Sequence, residues 1–372
     1  MSANLPEQPL WTDEDPVDAA DLLRLDLAAV LACLDELGAA ASVTLIRQHL
    51  AELLGALADP ASQLHQPVAA PLEVGRNYLI GELHQIGAAH TLERARYYVA
   101  RLHKSLTMVR TSAINDLNLN RWKEYDDILT DSLWVETRRD RSGGHTAGYW
   151  GNFIPQIPSQ MMRRYTKPGE WVLDTFAGSG TTMLEGLRLG RNTLGVELQP
   201  GVAATTCARI AAAANPHAVA GQVVVGDSRT ADWGALLDAH GARSAQLVLM
   251  HPPYHDIIKF SDDQRDLSNA ASVEEFLEML GQIAANVAPL LDRGRYLALV
   301  IGDKYAGGEW LPLGFWAMGA IQERGFTLKS IVVKNFEDTT GKRSQKELWR
   351  YRALVGGFYI FKHEYIFVLQ KR

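Results

Sequence analysis

Cysteine is nearly absent: 372 residues hold two, Cys33 and Cys207. A disulfide framework and a four-thiolate metal site are thereby excluded, and a reducing compartment, the cytoplasm, is the expected address. No apolar run approaches the roughly 20 residues that a membrane-spanning helix needs. The opening MSANLPEQPLWTDEDPVD is acidic and lacks the basic and apolar regions of a secretory leader. The 11 histidines are scattered, without the spacing of a zinc site, so no metal is expected. With 47% hydrophobic and 22% charged residues, the composition excludes a disordered chain, a collagen and a coiled-coil rod.

A strong net charge is also lacking, at −6, but the charge is unevenly spread. Residues 1–90 carry −10, 91–170 carry +4, 171–300 carry −5 and 301–372 carry +5. Two basic stretches therefore flank an acidic middle, and a polyanion responds to local patches rather than to the total. Leu and Ala recur at helical spacing from Asp18 to about Leu57, and again from about Val74 to Arg110. Residues 1–110 thus read as a helical N-terminal domain or extension. Residues 111–150, rich in Asn, Arg, Trp and Gly, read as a loop-rich connector.

From Gly169 the pattern changes to strand, turn and helix in alternation. Strands are expected at 171–176, 192–198, 222–227, 245–250 and 295–303, with helices at 180–190, after the second strand through Cys207, and at 274–291. Strands at 326–335 and 363–370 follow with no helix expected between them. Such alternation predicts an α/β fold, a doubly wound and mostly parallel sheet with an antiparallel C-terminal edge, over residues 151–372.

Three sites along this pattern carry chemistry. Asp174-Thr175-Phe176-Ala177-Gly178-Ser179-Gly180-Thr181-Thr182 joins the first strand to its helix, where glycines admit a ligand to the backbone and the helix start offers free N–H groups. No Lys follows the last Gly, so the turn is not a P-loop. Glu197 and Asp227, the latter beside Ser228, end the next two strands, where acids accept from ribose hydroxyls or an adenine amine; a helix cap is the alternative for either one. His251-Pro252-Pro253-Tyr254 follows the fourth strand. A Pro-Pro pair cannot continue a central strand; it stiffens a turn at the carboxyl edge, and the aromatic offers a face to a planar base.

Together FAGSGTT and HPPY resemble the S-adenosylmethionine-dependent DNA amino-methyltransferases, the N4-cytosine and N6-adenine enzymes. IPQIPSQMMRRYTKPGEWVLD is similar to the segment that in this family closes over the methionine moiety. The resemblance covers roughly residues 150–303 and the final hairpin, and nothing before about 110. It implies a Rossmann-like methyltransferase fold and S-adenosylmethionine as cofactor. Ile154, Pro155, Asp174, Phe176, Ala177, Gly178, Ser179, Gly180, Thr181, Glu197, Asp227 and Ser228 would hold that cofactor. His251, Pro252, Pro253 and Tyr254 would receive a flipped base. His stands where the family has Asp, Asn or Ser; a neutral imidazole accepts from an amine, but its tautomer is unspecified, and an acid such as Asp256 would raise its pKa. N4-cytosine is the first expectation and N6-adenine the second.

Double-stranded DNA is the expected substrate, with a cognate restriction nuclease as companion and the N-terminal helices as a homodimer surface. Lys334–Arg352, with Lys342, Arg343, Lys346 and Arg350 among interleaved aromatics, and the loop holding Arg139 and Arg141, are the expected DNA contacts. RNA or protein-amide methylation and a non-catalytic cofactor-binding regulator are the alternatives.

Overall fold

The computed structural model describes residues 22–66, 68–136, 139–140, 152–335 and 346–372. Arg141, Lys342 and Arg343, and the side chain of Lys346, lie outside the described residues. The chain forms two compact units, one of residues up to Thr111 together with Leu117–Asp127, the other of Ser112–Asp116 and Ile128–Arg372.

The described residues of the first unit form four α-helices and a two-stranded ribbon. β1 (Leu22–Leu25) pairs antiparallel with β2 (Leu72–Gly75), Leu23 opposite Val74. The helices are α1 (Leu27–Ala39), α2 (Val43–Ala58), α3 (Arg76–Gly87) and α4 (Leu92–Thr107). Asp26, Ser42 and Thr91 cap α1, α2 and α4 by accepting backbone N–H groups with their side chains. Leu34, Leu37, Ile46, Leu50, Leu53, Leu79, Leu83, Ile86, Val99 and Leu102 fill the core. Where a helix is expected, residues 22–25 form β1, in which Leu23 and Leu25 are buried and alternate with exposed neighbours, the period of a strand. At the far end, Ser42 stops and restarts the helix because its hydroxyl serves the N–H of Leu45.

The second unit holds an eight-stranded sheet. Its elements, in chain order, are β3 (Leu133–Trp134), α5 (Gln156–Tyr165), β4 (Trp171–Asp174), α6 (Thr181–Leu189), β5 (Asn192–Glu197), α7 (Pro200–Ala212), β6 (Gly221–Val225), α8 (Trp233–Asp238) and β7 (Ala245–Met250). They continue with α9 (Val273–Val287), β8 (Leu291–Ile301), the hairpin β9 (Lys304–Ala306) and β10 (Glu309–Leu311), α10 (Leu313–Gln322), β11 (Phe326–Asn335), α11 (Lys346–Gly356) and β12 (His363–Lys371). The strand order is β3-β11-β12-β8-β7-β4-β5-β6. β6, β5, β4, β7 and β8 are parallel; β12 runs antiparallel between β8 and β11. The fold is the expected doubly wound, Rossmann-like α/β sheet, antiparallel toward its C-terminal side.

Two details depart from expectation. β11 and β12 are joined through α11, where no helix was expected, and the edge beyond β11 is covered by the two-residue β3. Strand periodicity explains the core: in β7, Leu247 and Leu249 pack on one face while Val248 and Met250 pack on the other. Fully buried apolar side chains of this kind each contribute about 1.5–3 kcal/mol over exposure. The chain winds from β4 outward to β6, then returns to the other side of β4 at β7. A sheet that reverses direction this way opens a crevice at the carboxyl ends of its strands.

Candidate active site

The β4–α6 turn is built by backbone geometry. Gly178 and Gly180 both take positive φ, 49° and 81°, where a side chain would be strained. At Gly180 a Cβ would also sit 2.5 Å from Thr206 Cγ2 of α7. The Gly178 N–H donates to Glu197 Oε2 at 2.9 Å, and the Gln199 N–H to Glu197 Oε1 at 2.8 Å, so the acid at the end of β5 fastens the turn. Burial raises the Glu197 carboxyl above its ordinary range. Asp174 is more deeply buried and is pushed up to about 6 by desolvation; its Oδ1 accepts from the Phe176 N–H at 2.9 Å.

The turn opens onto a cleft that runs from Gly178 and Glu197 to His251, Pro252 and Pro253. Thr175, Phe176, Ala177, Thr181, Asp227 and Ser228 line it as well. Ser228 Oγ donates to the Thr175 carbonyl at 2.6 Å, tying the ends of β4 and β6 together. The Asp227 carboxylate is already engaged, receiving the Arg229 N–H at 2.9 Å and its guanidinium at 2.8–3.2 Å. Its unused lone pairs are what it has left for a ligand.

Around the start of α6, buried donors lack acceptors. Among the described residues, Ser179 Oγ, Asn152 Nδ2, and Nε and Nη2 of Arg139 have no hydrogen-bond partner. Their residues are tethered to this turn: Thr181 Oγ1 donates to Asn152 Oδ1 at 2.7 Å, and Arg139 Nη1 to the Phe153 carbonyl at 2.9 Å. Arg209 Nη1 donates to the Ser179 carbonyl at 2.6 Å. Desolvation and the nearby Arg209 charge lower the Arg139 pKa. Unpartnered donors and two guanidinium groups are thus gathered around the N-terminus of α6, where positive charge accumulates.

At the other end of the cleft, His251 lies beside Phe153, ring centroids 4.9 Å apart. Desolvation lowers its pKa to about 4, and the charge of Glu364 opposes this without overcoming it. His251 Nε2 is 3.3 Å from the Tyr254 hydroxyl, which donates to Glu364 Oε2 at 2.8 Å. Glu364 Oε1 in turn is 3.1 Å from Lys334 Nζ, both side chains being buried. Asp256 does not act on His251: it pairs with Lys304 and lies 3.6 Å from His255.

Several expected residues stand elsewhere. Asp174, Ser179 and Gly180 support the turn from behind and do not line the cleft. Ile154 packs into the core under the sheet and Pro155 opens α5; their neighbours Asn152 and Phe153 reach the cleft instead. Tyr254 is turned to Glu364 and is not part of the lining, because its hydroxyl and the close approach of its ring to Gly302 hold it there. Arg139 bonds the backbone of residues 152 and 153, where it is half-buried rather than on an open surface. Lys334 is buried in β11, whereas Arg350 is exposed on α11. Sequence reasoning missed Leu198, Phe260, Leu267 and Ile283, apolar walls of the cleft. The last three lie beyond the motifs and carry no local signal.

Comparison with known proteins bears on this geometry. The family model described as DNA methylase (N6_N4_Mtase) matches residues 93–206, which include the β4–α6 turn and Glu197. Over that stretch the chain is similar to the DNA methylases. The match starts ahead of the boundary expected near 110, and it ends before His251, so the cofactor turn and not HPPY carries it. The type II methyltransferase M.MjaII of Methanocaldococcus jannaschii is 36% identical over 79 residues, 21% of this chain and 14% of that protein. M.MthZI of Methanothermobacter thermautotrophicus is 33% identical over 79 residues, 21% of each chain. The matched stretch is thus a minor part of either relative. Among solved structures, TrmN from Thermus thermophilus aligns with a TM-score of 0.37 at 16% identity, over 59% of this chain and 49% of that one. A TehB-like methyltransferase from Corynebacterium glutamicum aligns at 0.34 and 14%, over 58% and 86%. No described helix is long and apolar enough to cross a membrane, and no described cluster of His, Cys, Asp and Glu suits a metal ion.

Proposed function

We propose that this chain is a DNA methyltransferase that uses S-adenosylmethionine to methylate the exocyclic amine of a flipped base, with N4 of cytosine as the target. The observation that supports it best is a single cleft bounded at one end by the β4–α6 turn with Glu197 and at the other by His251-Pro252-Pro253. The residues fit the cofactor. Glu197, in the cleft wall, suits a ribose diol, and the acceptor-less Asn152 Nδ2 in the same wall suits an α-carboxylate, with the Arg139 guanidinium behind it adding positive charge. When bound, S-adenosylmethionine supplies an electrophilic methyl on a sulfonium.

The protein's own part is positioning. His251 is neutral above a pH of about 4, so its ring accepts a hydrogen from the amine rather than repelling it. The Pro252 carbonyl, held by the stiff Pro-Pro turn, is the second acceptor. Two acceptors fix the amine and leave its lone pair free for in-line attack. A histidine is bulkier than Asp, Asn or Ser, which favours a pyrimidine over a purine beside it. Flipping such a base costs a few kcal/mol. Arg350 and Arg352 on the exposed face of α11, the latter 5.3 Å from the Trp349 ring, are the proposed phosphate contacts. In a restriction-modification pair the mark would protect one sequence motif throughout a host genome. Single-molecule sequencing of DNA from a host expressing the chain tests this: one motif should be modified, and unmodified DNA would overturn the reading.

A further inference from the structure

The tautomer of His251 decides whether its free nitrogen accepts from an amine or donates to it, and the neighbouring residues settle that question by donor counting. Lys334 Nζ is donor only, and it lies 3.1 Å from Glu364 Oε1, with both side chains about 5–6% exposed. The ammonium donates to Oε1, and a carboxylate held in such an ion pair presents only lone pairs at its other oxygen. The Tyr254 hydroxyl, 2.8 Å from Glu364 Oε2, must therefore donate its one hydrogen there. Toward His251 Nε2, at 3.3 Å, the phenol oxygen has nothing left but lone pairs. Nε2 must then carry the hydrogen. A neutral imidazole has one N–H, so Nδ1 is bare, and Nδ1 makes no hydrogen bond among the described residues. His251 itself lines the cleft, against Phe153.

We propose that Tyr254 and Glu364 are positioning residues that lock His251 in the Nε2–H tautomer and so aim a bare Nδ1 at the base amine. This rests on the reading of the cleft under Proposed function. It gives the aromatic of the HPPY motif a task other than stacking on the base. It also recruits Lys334 of β11 and Glu364 of β12, both more than 80 residues downstream of His251, into the catalytic turn. The charged and titratable groups that face His251 are Tyr254 on its own turn, Glu364 on β12 and Lys334 on β11.

Two substitutions separate this role from packing. In Glu364→Gln the Lys334 ammonium retains the amide oxygen, which leaves the amide NH₂ facing Tyr254. The phenol then accepts, turns its hydrogen to His251 Nε2, and forces the hydrogen onto Nδ1. In Tyr254→Phe the Lys334–Glu364 pair survives and Nε2–H merely loses its acceptor. The readout is a long-range proton–nitrogen correlation spectrum of protein labelled with ¹⁵N-histidine, the His251 signals being those lost in His251→Gln. The parent should show Nε2–H, Glu364→Gln should show Nδ1–H, and Tyr254→Phe should show a mixture. Turnover should fall about 100-fold and about tenfold respectively, with cofactor affinity unchanged. An Nδ1–H parent, or ring signals unmoved in both variants, overturns the proposal. Tyr254→Phe alone decides it if Glu364→Gln does not fold. The spectrum needs no substrate, so a parent that transfers no methyl to DNA defeats the reading of the cleft and not the tautomer lock.

Discussion

The two ends of the cleft follow strands β4 and β7, which are neighbours in the sheet, yet they are assembled by opposite means. The β4–α6 turn is made from backbone: two glycines at positive φ, N–H groups held by Glu197, and donors at a helix start. Its parts lie within about two dozen residues of one another, apart from Asn152 and Arg139. The turn after β7 is made from side chains, and its support, Lys334 and Glu364, comes from the antiparallel strands added on the far side of β8. A site for a common cofactor needs a shape that backbone supplies. A site that must hold one kind of amine needs a hydrogen-bond polarity, which a chain of oriented side chains adds to what the Pro252 carbonyl offers.

The sharpest way to break this comparison is to damage each end alone. Gly178→Val forces a branched side chain onto a φ of 49° and should abolish measurable cofactor binding by calorimetry while the circular dichroism of the fold persists. His251→Ala should do the reverse, lowering turnover about 100-fold or more with cofactor affinity retained. If both variants lose both properties, the two ends are not separable.

Smaller effects sharpen the picture. Arg139→Ala and Asp227→Ala should each weaken cofactor binding by about 1–3 kcal/mol, the cost of removing one partner of a buried polar contact. Unchanged affinity in the arginine variant would remove the anion site at α6. For the base end, the pH dependence of stability has a defined sign. The folded His251 resists protonation down to about pH 4, whereas in the unfolded chain it takes a proton below about 6.5. Its contribution is therefore present at neutral pH and is lost as pH falls from about 6.5 toward 4. Asp174, pushed up to about 6, acts in the opposite sense over the same window. Comparing urea midpoints of the parent and His251→Gln at pH 7 and 4.5 cancels Asp174; the variant should lose less on acidification. Arg350→Ala with Arg352→Ala should have the least effect, lowering the salt slope of DNA binding by about two.

The same contrast explains what could be read from the sequence. AQLVLM and FTLKSIVVKN became strands with the expected limits because an apolar or alternating run between turn residues has few other solutions. The Gly turn and Glu197 were legible because they are local. Tyr254, Ile154 and Pro155 were placed by motif alone, and each stands off the cleft, since a motif does not say which way a side chain turns. Glu364 carries no local signal, and Lys334 reads only as the first residue of a basic stretch: their meaning depends on β12 entering the sheet between β8 and β11. The helix α11 hid inside a basic stretch whose exposed Leu348, Leu354 and Val355 give it no buried stripe.

The most direct test of the account is nucleoside mass spectrometry of duplex DNA incubated with the purified chain and S-adenosylmethionine, beside His251→Ala. The account predicts N4-methylcytosine from the parent and almost none from the variant. Methylated nucleosides absent from DNA, or equal amounts from parent and variant, would contradict it.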